Sequence, residues 1–164
     1  MQSHPMRFTF PSLAAFLVAM AGASIATASS RQLPQGPFTL FAGNSTAANF
    51  IVENSRTRSD DIVLVTNYRV YANAIPSPSG TIDQDTTELK IDCSAWTYQQ
   101  ISINAFGPHG DWVVSFPTET GKPIEPEQTW DFLARVVCND LQFPASATVN
   151  GASAARSLGL SRLK

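Results

Sequence analysis

The sequence predicts an α+β domain: an antiparallel sheet of about six strands, with one C-terminal helix packed on one face and fastened by a disulfide. Three observations predict it. Between Phe38 and Phe116, short runs rich in apolar and β-branched residues alternate with turn residues. From Glu125 the apolar period becomes that of a helix. The only two cysteines, Cys93 and Cys138, fall at the end of a predicted strand and of that helix.

The elements follow in order. Ser29 to Gly36 reads as a short polar lead (29–36) to a single domain over 37–143. Phe38 to Phe41 and Ala48 to Glu53 form a predicted hairpin, with Asn44-Ser45 in its turn. Asn54 to Ser59 reads as a polar turn. Asp60 to Tyr71 is the clearest strand. Ile62, Leu64, Thr66, Tyr68 and Val70 share one face; Val63, Val65, Asn67 and Arg69 share the other. Its first half is apolar on both faces, as expected where a second layer covers the back of the sheet.

Ala74 to Asp85, with two prolines and a glycine, reads as a loop. Thr86 to Cys93 alternates again. Ser94 to Phe106 continues as a strand rich in good sheet formers. Gly107-Pro108-His109-Gly110 breaks it, and Asp111 to Phe116 is a last short strand. Glu125-Pro126-Glu127-Gln128 then opens the helix: proline suits the first helical position, and acids suit the positive end of the dipole. Trp130, Leu133, Ala134, Val137 and Cys138 make its apolar stripe. Gln128, Asp131 and Arg135 make its polar face. Residues 144–164, dominated by Ala, Ser and Gly, are expected to be disordered.

The first 28 residues have the order of a secretory signal. Arg7 is followed by an apolar run from Leu13 to Ala21 and by the small-residue site Ala26-Thr27-Ala28. The apolar run is too short for a membrane span, which needs about 20 residues. The chain is therefore expected to be cut after Ala28 and to work outside the cytosol, in the periplasm, secreted or at the cell surface, with no membrane span remaining. In an exported chain a lone cysteine pair is most simply a disulfide. Metal ligation would lack ligands, since His109 is the one histidine after the signal, and a redox pair prefers C-x-x-C spacing. The bond would close a loop of about 45 residues, worth about 4 kcal/mol in the chain-entropy model.

Cleavage leaves about 136 residues, enough for one domain with a real core. The remaining ten basic and thirteen acidic residues give a charge of about −3. That balance argues against nucleic acid as a partner, because a basic surface supplies most of such binding. An unidentified protein or small ligand is expected instead.

No residue set spells out catalysis, and no catalytic, cofactor-binding or metal-binding residues are assigned. His109 sits in a Gly/Pro turn without a second histidine or a G-x-S-x-G nucleophile. Asp83-Gln84-Asp85-Thr86-Thr87-Glu88 fails as a calcium loop, since Glu88 stands where the sixth-position glycine belongs. It reads as a solvated acidic loop. Glu119, Glu125 and Glu127 read as dipole partners of the helix rather than as an acid pair. Trp96 and Tyr98 share a predicted strand face with Gln100, Ser102 and Asn104, and are the candidate binding surface.

The landmarks resemble those of the surface-adhesin protein E-like domain family of small exported bacterial proteins. The resemblance spans about residues 38 to 138 and rests on a set of motifs. These are Phe50-Ile51-Val52-Glu53-Asn54-Ser55, the strand from Ile62 to Tyr68, Ile91-Asp92-Cys93, Trp112-Val113-Val114, Glu125-Pro126-Glu127 and Val136-Val137-Cys138. Phe38 and Phe41 stand where a tryptophan is common, and Glu53 where aspartate is usual. The resemblance implies a sheet with one packed helix, a Cys93–Cys138 bond and an exported product. The family's named member is an adhesin that binds host matrix proteins and haem, but no motif here matches its ligand-binding residues. The expected function is non-enzymatic binding or surface association. The alternatives are a periplasmic enzyme with an unrecognised site, or an inhibitory or structural module acting on another envelope protein.

Overall fold

The computed structural model describes residues 31–163. The expected signal and its cleavage site at Ala28 lie outside the described residues. One antiparallel sheet dominates, built from β1 (Pro37–Gly43), β2 (Ala47–Ser59), β3 (Ile62–Ser77), β4 (Gly80–Asp92), β5 (Thr97–Phe106), β6 (Trp112–Phe116), β7 (Lys122–Pro123) and β8 (Thr148–Asn150). Their order is β6-β5-β4-β3-β2-β1-β8, with β7 also paired to β5. Two helices, α1 (Thr129–Cys138) and α2 (Ala152–Arg162), complete the fold. The α+β class and the fastened helix are as the sequence predicts.

The strands run longer than expected. The segment from Asn54 to Ser59 stays in β2 beyond an irregularity between Val52 and Thr57, and the turn falls at Asp60. The predicted loop over 74–85 is instead the tip of the β3–β4 hairpin, closed by Ser77 opposite Gly80. Pro76 is tolerated there because β3 has lost its β2 partner beyond Tyr71, so the missing N–H breaks no ladder. Gly80 takes φ +139°, open to glycine at no steric cost.

Residues directly opposite one another share a face. On the first face Ile51, Val63, Val65, Leu89 and Ile91 pack with Leu133, Ala134 and Val137 of α1. Cys93 and Cys138 are bonded, with Cα atoms 5.6 Å apart, which anchors the helix end to the end of β4. The same end is gripped from β2, where Arg56 Nη2 donates to Val137 O at 2.9 Å and Arg58 Nη1 to Cys138 O at 3.0 Å. Cations at a helix C-terminus satisfy free carbonyls and oppose the dipole. The helix start is capped by its own Asp131. This residue is buried rather than part of a polar face, accepting from Glu127 N at 3.0 Å and from Arg135 Nε at 3.1 Å. These two interactions, Arg135 foremost, hold the Asp131 carboxyl below the usual carboxylate range.

The second face corrects the sequence reading. The segment expected to be disordered from Pro144 forms β8, paired to β1, and α2, which lies over Phe38, Ala48, Phe50, Tyr68 and Val70. Its apolar pattern is faint because the large residues of this contact sit on the sheet. The helix contributes Ala155 and Gly159, both buried and four residues apart, so its backbone approaches the rings closely. Gly151 begins the helix at φ +83°. The lead is not merely polar either: Leu33 packs beside this cluster, and Arg31 lies 4.5 Å from the centre of the Trp112 ring.

Residues 83–87 are likewise not solvated. Asp83 through Thr87 are buried within β4. Asp83 is matched by Arg156 of α2 at 2.6 Å, and Asp85 by Arg69 and the Tyr71 hydroxyl. Cations from remote parts of the chain make the burial of these carboxylates tolerable.

Candidate functional site

Past the start of α1 the first face of the sheet is left open, and a groove of about 410 Å³ runs between sheet and helix. Its walls come from the β1–β2 turn, from Asn49, Arg69 and Tyr71 on β2 and β3, from Tyr98 and Gln100 on β5, and from the segment Pro123–Trp130. The β1–β2 turn is held by Asn44. Asn44 Oδ1 accepts from Thr46 N at 2.8 Å and Ala47 N at 3.0 Å, a side-chain closure of the turn.

The register of β5 decides which side chains reach the groove. Tyr98 lies opposite Ile91 and Gln100 opposite Leu89, placing both on the α1 face. An irregularity between Gln100 and Ser102 then shifts the register, so Ser102 and Asn104 pair with Glu88 and Thr86 on the other face. The predicted run Tyr98, Gln100, Ser102, Asn104 is therefore split by one extra residue, Ile101. Trp96 is not on the strand. It sits in the β4–β5 turn at φ +52°, partly buried against the α1 core, and accepts a backbone bond from Ile124 N at 3.0 Å. The turn is closed by Asp92 Oδ1, which takes Ala95 N at 2.9 Å and Ser94 N at 3.0 Å. Of the two candidate residues, Tyr98 lines the groove and Trp96 does not.

Three rings and one guanidinium form the groove's inner corner. Tyr98 and Trp130 are 5.9 Å apart and tilted by 46°. The Arg69 guanidinium lies 5.8 Å from the Trp130 ring centre and 5.9 Å from that of Tyr71. Beneath it, Asp85 Oδ2 is 3.8 Å from Arg69 Nε and accepts the Tyr71 hydroxyl. Burial pushes the Asp85 carboxyl up, against the pull of Arg69 and of the hydroxyl. Burial and the neighbouring Asp85 likewise push the Tyr71 phenol up, so it stays a donor at neutral pH. Arg69 is thus neutralised from below and positioned by aromatic faces, with 27% of its side chain open to the groove.

Sequence reasoning missed Arg69, Tyr71 and Trp130. The available signal was Asn67 and Arg69 continuing the apolar face of Val63 and Val65, a polar end to a core-facing stripe. His109 lies exposed in a turn held by Gly110 N donating to Gly107 O, on the rim of a separate 300 Å³ pocket by the start of α2. Among the described residues, no group of three or more His, Cys, Asp or Glu side chains is placed to hold a metal ion.

No family model and no curated protein matches the sequence. Among solved structures, the chain is similar to Haemophilus influenzae protein E in crystal form II, with a TM-score of 0.50 and 11% identity over 68% of this chain and 93% of that one. A second structure of Haemophilus influenzae protein E aligns at a TM-score of 0.48 and 12% identity, over 71% and 96% of the two chains. At this identity the likeness is one of fold, so the expected family resemblance holds as a distant structural one.

Proposed function

We propose that this chain is an exported, non-enzymatic binding protein whose working surface is the groove at the start of α1. The observation that carries the reading is the convergence of Tyr71, Tyr98 and Trp130 with Arg69 in one open groove. Partly exposed rings with a pre-positioned guanidinium give contact area at low entropic cost, which is recognition chemistry. Export is supported by the Cys93–Cys138 bond and by the distant likeness to protein E. Among the described residues no helix is long and apolar enough to cross a membrane.

Ligand-observed NMR of the oxidised domain against a fragment library tests the reading. Bound fragments should cluster in the groove and lose binding in Tyr98→Ser. Fragments that bind only elsewhere, or are chemically converted, would sink it. N-terminal sequencing of the exported protein should begin at Ser29; a chain still starting at Met1 would contradict export by cleavage.

A further inference from the structure

We propose that the groove at the start of α1 takes a neutral oligosaccharide; this rests on the reading of the groove as the binding surface. The argument is one of matching chemistry. A sugar ring has an apolar C–H face and a rim of hydroxyls, each both donor and acceptor. The groove offers the complement. Tyr98 and Trp130, tilted at 46°, are two aromatic walls against which C–H faces can lie. The polar lining of the same groove is mostly carboxamide and hydroxyl, Asn49, Gln100, Gln128 and Thr129 among it. A carboxamide donates and accepts side by side, as a pair of neighbouring hydroxyls requires.

Charge and desolvation disfavour anionic and wholly apolar ligands. The charged side chains of the lining are Arg69 and Glu125, of opposite sign, and Arg69 already faces the buried Asp85. An anion would meet Glu125 and Asp85 with only one cation to offset them, and that cation is already engaged by Asp85. A wholly apolar ligand would strip water from the amides without replacing their hydrogen bonds. The groove's 410 Å³ lies in the usual range for small-ligand sites, about 300–1,000 Å³. It is open to solvent, so an oligomer could run through it.

The test is calorimetric titration, with tryptophan emission as a second readout. The probes are chitotetraose, cellotetraose and maltotetraose, with a hyaluronan tetrasaccharide and the apolar dye ANS as contrasts. At least one neutral tetrasaccharide should bind and change tryptophan emission. Gln100→Ala and Gln128→Ala should each weaken that binding about tenfold, at unchanged melting temperature, as expected for lost hydrogen bonds. Trp130→Ala should abolish it; because Trp130 also packs on the core, the exposed Gln128 keeps the test independent of folding. Binding of only hyaluronan or ANS, lost in Tyr98→Ser, would overturn the neutral saccharide and leave the binding groove standing. Failure of every neutral saccharide, or binding that ignores the glutamine variants, would overturn the proposal as well.

Discussion

Gly159→Val tests whether α2 is a true layer of this protein. A Cβ at position 159 would lie 3.1 Å from Ala48 Cβ and 3.2 Å from Phe50 Cε2, already tighter than normal contact. Valine adds two further carbons with nowhere to go, since Phe50 and Ala48 are fully buried. Overpacking of this kind costs about 1–3 kcal/mol. Valine is a better helix former than glycine by a few tenths of a kcal/mol, which offsets part of the cost. The net loss is then about 0.5–2.5 kcal/mol, and at about 3–5 °C per kcal/mol for a domain of this size, the Tm should fall by about 2–12 °C. Scanning calorimetry reads it directly. Ser157→Val, on the exposed side of the same helix, should change stability by less than about 0.5 kcal/mol. Phe50→Leu in the Gly159→Val background should recover part of the loss, because the two sites share the contact. A Gly159→Val protein melting like the parent would refute the docking of α2 and restore the disordered tail.

A chain ending at Phe143 should bind more ANS and melt lower than the parent, because Phe38, Phe50 and Tyr68 lose their cover; unchanged behaviour would place the domain boundary at Phe143. Cys138→Ala should lose about 4 kcal/mol in the chain-entropy model, seen as a lower urea midpoint, and the parent's intact mass should rise by a pair of hydrogens on reduction. Asp131, with a folded pKa below its unfolded value, contributes stability above about pH 4 that is lost as the pH falls through the folded value. Asp131→Asn should therefore flatten the acid limb of the stability profile, and a limb of unchanged slope would count against the cap. Asp85 works in the opposite sense: its raised pKa means that its contribution falls as the pH rises through the folded value, so Asp85→Asn should relieve the loss on that side.

Elements whose periodicity is local could be read from the chain alone. The alternation of Ile62 to Val70 dictates both faces of β3, and the stripe from Trp130 to Val137 dictates which side of α1 turns inward. The cysteine pair at the ends of β4 and α1 was legible because an exported chain with one pair has one simple choice. The remaining features depend on partners far away in the chain and emerge only when the chain is folded. α2 carries small residues because the large ones stand across from it on β2 and β3, so no local pattern announces it. Asp83 and Asp85 look like loop acids until Arg156 and Arg69 arrive from 73 and 16 residues away to neutralise them. The groove depends on one extra residue in β5, which keeps Tyr98 and Gln100 on the α1 face while turning Ser102 and Asn104 away. A single-residue slip reverses every side chain beyond it, and hydrophobic alternation could not place that slip because the strand is polar on both sides of it.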